Sequence, residues 1–410
     1  MSKTKSIAII GGGASGMAAA VTAARLGVKV TLIEAQPRVG RKLLSTGNGR
    51  CNITNARMSP DHFRSTHHAR IVKLLDITPP DDILDFLRSL GLECFEEREG
   101  RIYPRSEQAT AVLDMFRAEL DRLGVETVCD FRVSSVKPSG GGFSIKGAEQ
   151  SIFAERVIFA CGSQAAPQLG GCSDGMALMK ATGHKYSAFI PALVGLKVDS
   201  PHLRALKGVR WRCQLTLMHE NRSVHTEGGE VQFNEDNLSG IVTMQMSSRA
   251  ARYRSGCCLV ADLLPEYTPE QTIELLGDMR SLLGHLPIDG FLAGLLNKRL
   301  AACLLKSAGI TGLSRRADEL TDRELKAIAS KAKGWEFPIT GSCGWKTAQV
   351  ASGGVLLDQF GDDLQSRLVP GLYACGELLD CDGDCGGYNL HWAWCSGIIA
   401  GGSAARSLKK

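Results

Sequence analysis

Between positions 7 and 34, the 410-residue chain carries the pattern that most limits how it can fold. Ile7-Ala8-Ile9-Ile10 is a short, wholly apolar run, as expected of a parallel strand buried on both faces. Gly11-Gly12-Gly13-Ala14-Ser15-Gly16 follows it, and Met17 to Leu26 reads as an alanine-rich helix that stops at Gly27. Val28 to Ile33 is a second strand, closing on Glu34-Ala35. In Gly11-x-Gly13-x-x-Gly16, Gly11 permits the tight turn, Gly13 lets backbone approach a pyrophosphate, and Gly16 allows close helix–strand packing. The helix start at Ala14 and Ser15 offers free N–H groups and partial positive charge to phosphates. Glu34 falls 18 residues after Gly16, where a carboxylate accepts bonds from ribose hydroxyls and repels a 2′-phosphate. Strand, turn, helix, strand and acid in register predict a bound adenine dinucleotide.

Such a length exceeds one domain, so two or three are expected. Glycine is over-represented, 46 of 410 residues against roughly 7% on average, and it clusters in loops without a period. The net charge of +5 does not argue for nucleic acid or membrane partners. The segment Met1 to Gly13 has no signal-peptide core, and no stretch is long enough to span a bilayer. The fourteen cysteines therefore read as reduced thiols of a cytoplasmic protein. None forms a CxxC pair, and no metal site is expected.

Pro79 to Leu90 and Ser106 to Leu123 read as amphipathic helices, with a hairpin at Cys94 to Tyr103 turning at Arg98-Glu99-Gly100. Val125 to Val136 and Phe143 to Ile152 read as strands around the turn Ser139 to Gly142, and Val157 to Ala160 as another buried strand. His67-His68 falls in a polar loop, and Ser173-Asp174-Gly175 reads as a helix cap. From Pro191 to Asp262 short strands prevail, with alternation over Arg212 to Met218 and turn residues at Glu227-Gly228-Gly229. Pro265 to Lys333 is mostly helical. The α/β character returns with Ala348 to Leu357, Leu372 to Cys375 and a last helix from Tyr388. The expected domains are 1–190 and 341–410 as one discontinuous unit, 191–262 as an inserted barrel-like unit, and 263–340 as a helical one.

Two further regions bear on which dinucleotide is held. Gly40 to Asn52 is a glycine-punctuated loop with three cations and no acid; Arg41, Lys42, Thr46, Gly47, Asn48 and Asn52 could wrap a pyrophosphate and ribityl chain. Near the other end, Leu372 to Cys375 leads into Gly376-Glu377, an acid placed for a ribityl hydroxyl. Gly386-Gly387-Tyr388-Asn389 then opens the final helix, whose N-terminus would favour negative charge on a reduced flavin ring. A nicotinamide alone would not need this second pair of turns, so FAD is the expected tightly bound cofactor.

Gly40 to Leu44 with Gly49 to Asn55, and Gly386 to Trp394, resemble signatures of the BaiN/YhiN flavoprotein family, in the same order along the whole chain. Val369 to Tyr373 and Asp380 to Asp384 fit the branch that includes the bile-acid reductase. The resemblance implies an α/β, Rossmann-like FAD domain of the glutathione-reductase-like kind, interrupted by a β-barrel and a small helical domain. It implies FAD contacts at Gly11, Gly13, Ala14, Ser15, Gly16, Glu34, Ala35, Arg41, Lys42, Thr46, Gly47, Asn48 and Asn52. It extends them to Val133 (in a strand), Ala160, Cys161, Gly162, Gly376, Glu377, Gly387, Tyr388, Asn389 and Leu390. Cys161 stands where related flavoproteins carry Thr, so a contact from that hydroxyl would be missing.

The family includes a reductase of conjugated 3-oxo bile acids, ribosomal RNA dihydrouridine synthases and proteins described as aminoacetone oxidases. The resemblance therefore implies NAD(P)H-dependent reduction of an activated C=C, with a small-molecule steroid enone as leading substrate and an rRNA uracil as alternative. Amine oxidation, or a flavin-binding protein without turnover, is a further alternative. For RNA, nine cations between Asn297 and Gly334 face only four acids. With no second GxGxxG, NAD(P)H would bind transiently. His391, Tyr388, Cys381 and Asp382 neighbour the proposed flavin-edge turn, but no residue is assigned as proton donor. Nothing in the sequence points to an oligomeric state.

Overall fold

The computed structural model describes residues 5–253 and 255–409. The reading of the N-terminus from Met1 thus falls partly on residues 1–4, outside the described residues. The chain divides into two compact units, 1–191 with 348–410, and 192–347.

In the first unit the apolar runs become a parallel sheet in the order Leu372–Ala374, Arg156–Phe159, Ser6–Ile10, Lys29–Ile33, Glu126–Val128. Ile7, Ala8, Ile9, Val157, Ile158 and Phe159 have no solvent exposure, as a sheet covered on both faces requires. The first helix, Ala14–Arg25, starts three residues earlier than expected, because the glycine turn runs straight into it and takes in Gly16. The terminal helix, Tyr388–Lys409, lies against it backbone to backbone. A Cβ at Gly397 would stand 2.4 Å from the Ser15 carbonyl oxygen, and one at Gly401 2.3 Å from that of Ala19. Glycines four apart on one helix thus meet Ser15 and Ala19, four apart on the other. This contact draws the two ends of the chain together.

Four local expectations need correction in this unit, one being Phe143 to Ile152, which is not one strand but parts of two antiparallel ones, Gly142–Lys146 and Ser151–Ala154. Val125 to Val136 is not one strand: Glu126–Val128 joins the parallel sheet, Asp130 turns with φ 54°, and Ser135–Ser139 enters an antiparallel sheet with Gly142–Lys146 and Ser151–Ala154. Val133 consequently lies in the connection and not in a strand. His67-His68 is no loop, since it opens the helix His68–Ile77, with His67 Nε2 3.5 Å from Asp358.

The second unit contains a closed six-strand barrel in the order Leu196–Val198, Asn237–Ser239, Arg222–Phe233, Arg210–His219, Cys257–Asp262, Trp335–Ser342. Its interior is filled by Leu215, Leu217, Val231, Phe233, Leu259 and Phe337. Trp335–Ser342, which begins just after the helical stretch Pro265 to Lys333 and inside the expected helical unit 263–340, is the strand that closes the barrel. Glu227-Gly228-Gly229 is not a turn but the middle of a twelve-residue strand, and the hairpin turns instead at Glu220-Asn221, φ 48° and 62°. A Cβ on Gly229 would come within 3.0 Å of Val242, so glycine there admits the helix Ile241–Ala250, which the strand-rich reading missed. Helices Pro269–Leu283, Lys298–Ser307 and Asp322–Lys333 occupy the interval before the closing strand. No described helix is long and apolar enough to cross a membrane.

Candidate functional site

The parallel strands all end on one side, and the turns that leave them enclose a cavity within the first unit, where open α/β sheets bind ligands. Gly11 is fixed by N–H donation to the Ile33 carbonyl at 2.7 Å and by φ of 112°, and a Cβ there would stand 2.3 Å from the Ala160 carbonyl oxygen. Gly13 and Gly162 differ: both line the cavity, and a Cβ on either would meet no atom within 4 Å. Ala14 and Ser15 line it at the first turn of a helix that no side chain caps, so their N–H groups face the cavity end without intrahelical partners. Gly16 stays behind this surface, its Cα side packed against Gly11.

Glu34 and Ala35 form the next wall. The Glu34 carboxylate is already oriented, accepting from Gly12 N–H at 2.7 Å and Gln36 N–H at 2.8 Å. Arg41, Lys42 and Thr46 line the cavity, with Arg41 tied to the Gln36 side chain and the Gln168 carbonyl. The Lys42 ammonium donates to Glu377 at 2.7 Å, and the other oxygen of Glu377 accepts from Ala351 N–H at 2.8 Å. Ala160, Cys161 and Val133 complete this half. Burial pushes the Cys161 thiol far above its usual range. An Arg132–Asp174 ion pair at 2.6 Å stands at the same wall.

Asn389 and Leu390 line the cavity from the terminal helix. The Asn389 amide is committed to backbone, accepting from Gly383 N–H and donating to the Gly383 and Asp384 carbonyls. Other expected residues stand one layer back. Gly47 and Asn48 take left-handed conformations away from the cavity lining. Asn52 is oriented by its surroundings, with amide oxygen towards Gly387 N–H at 3.1 Å and amino group towards the Ile102 and Thr54 carbonyls. Gly376 donates to Ser396 Oγ and accepts from the Trp392 indole. Tyr388 stacks on His62 at 4.2 Å, and burial pushes its hydroxyl up to about 12.

Of the four residues adjacent to the turn, only Cys381 lines the cavity. Asp382 is wholly buried and paired with Arg64 at 3.1 Å. His391 is wholly buried, its Nδ1 2.9 Å from Thr54 Oγ1, and burial pulls it down to about 4. Lining residues that sequence reasoning missed include Arg38, Phe131, Gly170, Gln349, Val350 and Trp392. Gly170-Gly171, a second glycine pair after Gly162, was the visible signal for part of this set. The others arrive through tertiary packing.

The family description "HI0933-like protein Rossmann domain" matches residues 5–403. The chain belongs to the HI0933-like family. This is the BaiN/YhiN family that its loops resemble. One relative, "3-dehydro-bile acid delta(4,6)-reductase" of Clostridium scindens, is 36% identical over 405 residues, covering 97% of this chain and 98% of its own. Another, "Ribosomal RNA dihydrouridine synthase" of Escherichia coli, is 29% identical and covers 95% of each chain. The solved 3-ketosteroid Δ1-dehydrogenase from Sterolibacterium denitrificans shares the fold at a TM-score of 0.54 and 14% identity, over 98% of this chain and 100% of that one. As an HI0933-like protein, the chain is a flavin-dependent oxidoreductase.

Proposed function

We propose that the chain binds FAD in this cavity and reduces an activated C=C of a small enone, most closely a 3-oxo-Δ4 steroid or bile acid, with hydride drawn from NAD(P)H. The observation that carries the reading is that lining residues from both ends of the chain, Gly13 to Ser15 at one end and Glu377, Cys381, Asn389 and Leu390 at the other, share one cavity. The residues present fit the cofactor. Open space in front of Gly13 and Gly162 is a cradle that any Cβ would fill. Uncapped N–H groups at Ala14 and Ser15, with Arg41 nearby, suit a pyrophosphate. Glu34 suits ribose hydroxyls, and Glu377 with Lys42 suits a ribityl chain. Leu390, Val350 and Trp392 supply apolar walls for the rings.

Bound FAD would supply hydride-transfer chemistry to a polarised C=C. The chain's share is to orient the cofactor through these contacts and to keep the flavin-edge turn fixed. Asn52 and Asn389 do the latter by holding Gly387 and Gly383–Asp384. Cavity-lining Cys381 is the group of the four best placed to meet a ligand. The steroid class is supported by the higher identity to the bile-acid reductase, 36% against 29% for the rRNA enzyme. Three of the nine cations in the basic helical segment are committed to ion pairs, Lys333 with Asp262, Arg315 with Glu324 and Arg316 with Asp318, which lessens the charge left for RNA.

The test is anaerobic photoreduction of the FAD-loaded protein, followed by mixing with a 3-oxo-Δ4 steroid or a uracil-bearing rRNA fragment. Rapid flavin reoxidation by the steroid alone is expected. Reoxidation by the RNA alone would replace the substrate, and reoxidation by neither would overturn C=C reduction. Bleaching of oxidised protein by NADH or NADPH tests the donor.

A further inference from the structure

The first unit holds a second cavity of about 680 Å³ that the dinucleotide reading does not use. That volume falls in the range of small-molecule sites, roughly 300–1,000 Å³. Helices His68–Ile77 and Pro80–Arg88 contribute to one side and the hairpin Cys94–Glu96 and Arg101–Pro104 to the other. Met58, Leu75, Leu84, Leu92, Phe95 and Ile102 supply the apolar part of its lining, with charged side chains making up the rest. Leu75, Leu92 and Ile102 are themselves buried, so the floor is anchored in the core of the unit.

The rim is predominantly acidic. Asp76, Asp81, Glu93 and Glu96 stand at it, with Arg88 as the one cation among the lining residues. Arg88 is engaged by Asp85, and lies 3.9 Å from Glu93. Asp76, Asp81 and Glu96 form no ion pair among the described residues, although the chain as a whole is positive by five charges. Apolar side chains beside carboxylates that form no ion pair complement a ligand with a hydrocarbon body and a cationic head. An anionic amphiphile, such as a fatty acid or a bile-acid carboxylate, would meet repulsion at the same rim.

We propose that this groove is a binding site for an amphiphilic amine, with its apolar part on Leu84, Leu92 and Phe95 and its ammonium between Asp76, Asp81 and Glu96. The site is independent of the cofactor cavity, so its test does not depend on flavin chemistry.

The experiment is calorimetric titration of the FAD-loaded protein with octylamine, octanol and octanoate at low salt. Octylamine should bind about tenfold or more tightly than octanoate, a difference of roughly 1.4 kcal/mol, and octanol should fall between them. The triple variant Asp76→Asn, Asp81→Asn, Glu96→Gln, altered only at exposed positions, should lose the preference for the amine. Separately, Leu84→Trp should weaken all three ligands by filling the floor. Equal binding of amine and carboxylate, or an amine preference that survives the triple variant, would overturn the proposal. So would a complete lack of octylamine binding by folded protein.

Discussion

The Lys42 ammonium donates to the Glu377 carboxylate at 2.7 Å, joining loops 335 positions apart in the chain. Because the same carboxylate also accepts from Ala351 N–H, one acid fixes three segments of the cavity wall. Glu377→Gln keeps the shape but removes the charge from the pair. FAD affinity should fall by about tenfold, as expected for one charge-assisted bond that is partly exposed. Titration of apo-protein with FAD, followed by flavin fluorescence, measures it. An unchanged affinity would remove Glu377 from the cofactor contacts.

Gly11 and Gly13 should fail differently when substituted. Gly13 has φ −79° and open space before it, so Gly13→Val adds bulk to the cavity without backbone strain. It should give a protein with wild-type Tm that retains little or no FAD. Gly11→Ala puts a Cβ 2.3 Å from the Ala160 carbonyl oxygen at φ 112°, and should cost more than about 1 kcal/mol of stability, with a lower Tm. Thermal melts of the apo-proteins beside FAD titrations separate the two effects.

This contrast also marks what could be read from sequence. The first strand, glycine turn, helix and Glu34 were legible because each is a local signal: an apolar run, fixed glycine spacing and an acid in register. Glu377 was legible for the same reason, whereas Asn389 and Leu390 came through the family resemblance. Gly228-Gly229 misled because glycine in a strand can answer to a neighbouring helix, here at Val242, as well as to a turn. The closing barrel strand Trp335–Ser342 was hidden because its partners, Leu196–Val198 and Cys257–Asp262, are distant in sequence. The second-layer placement of Asn52 and Tyr388 depends on what they pack against, Gly387 and His62, which no local pattern encodes.

Arg64 holds two buried carboxylates behind the cavity wall, Asp382 at 3.1 Å and Asp384 at 2.7 Å. Arg64→Met would strip both acids of this partner in a dry environment, which costs about 3–5 kcal/mol for a buried pair. Denaturant unfolding should show that loss. Adding Asp382→Asn and Asp384→Asn to the variant should recover part of it. If the triple variant is no more stable than Arg64→Met, the cost lies in packing and not in charge.

His391 gives the fold a pH dependence. Burial holds its imidazole at about 4 in the fold against an ordinary 6.5, so the unfolded chain binds the proton more readily. Its contribution is whole above about pH 6.5 and declines as pH falls towards 4, by up to about 1.4 kcal/mol per unit. Urea unfolding at a series of pH values should show this slope in the wild type. His391→Gln should flatten it. Identical slopes would mean that the imidazole takes up its proton as readily in the fold as in the unfolded chain.

The most direct test of the account is the flavin content of the purified, folded protein after incubation with FAD and removal of the excess. One FAD per chain is predicted, retained by the wild type and absent from Gly13→Val. Folded protein that stays colourless and takes up no FAD would contradict the claim that both ends of the chain close on one dinucleotide.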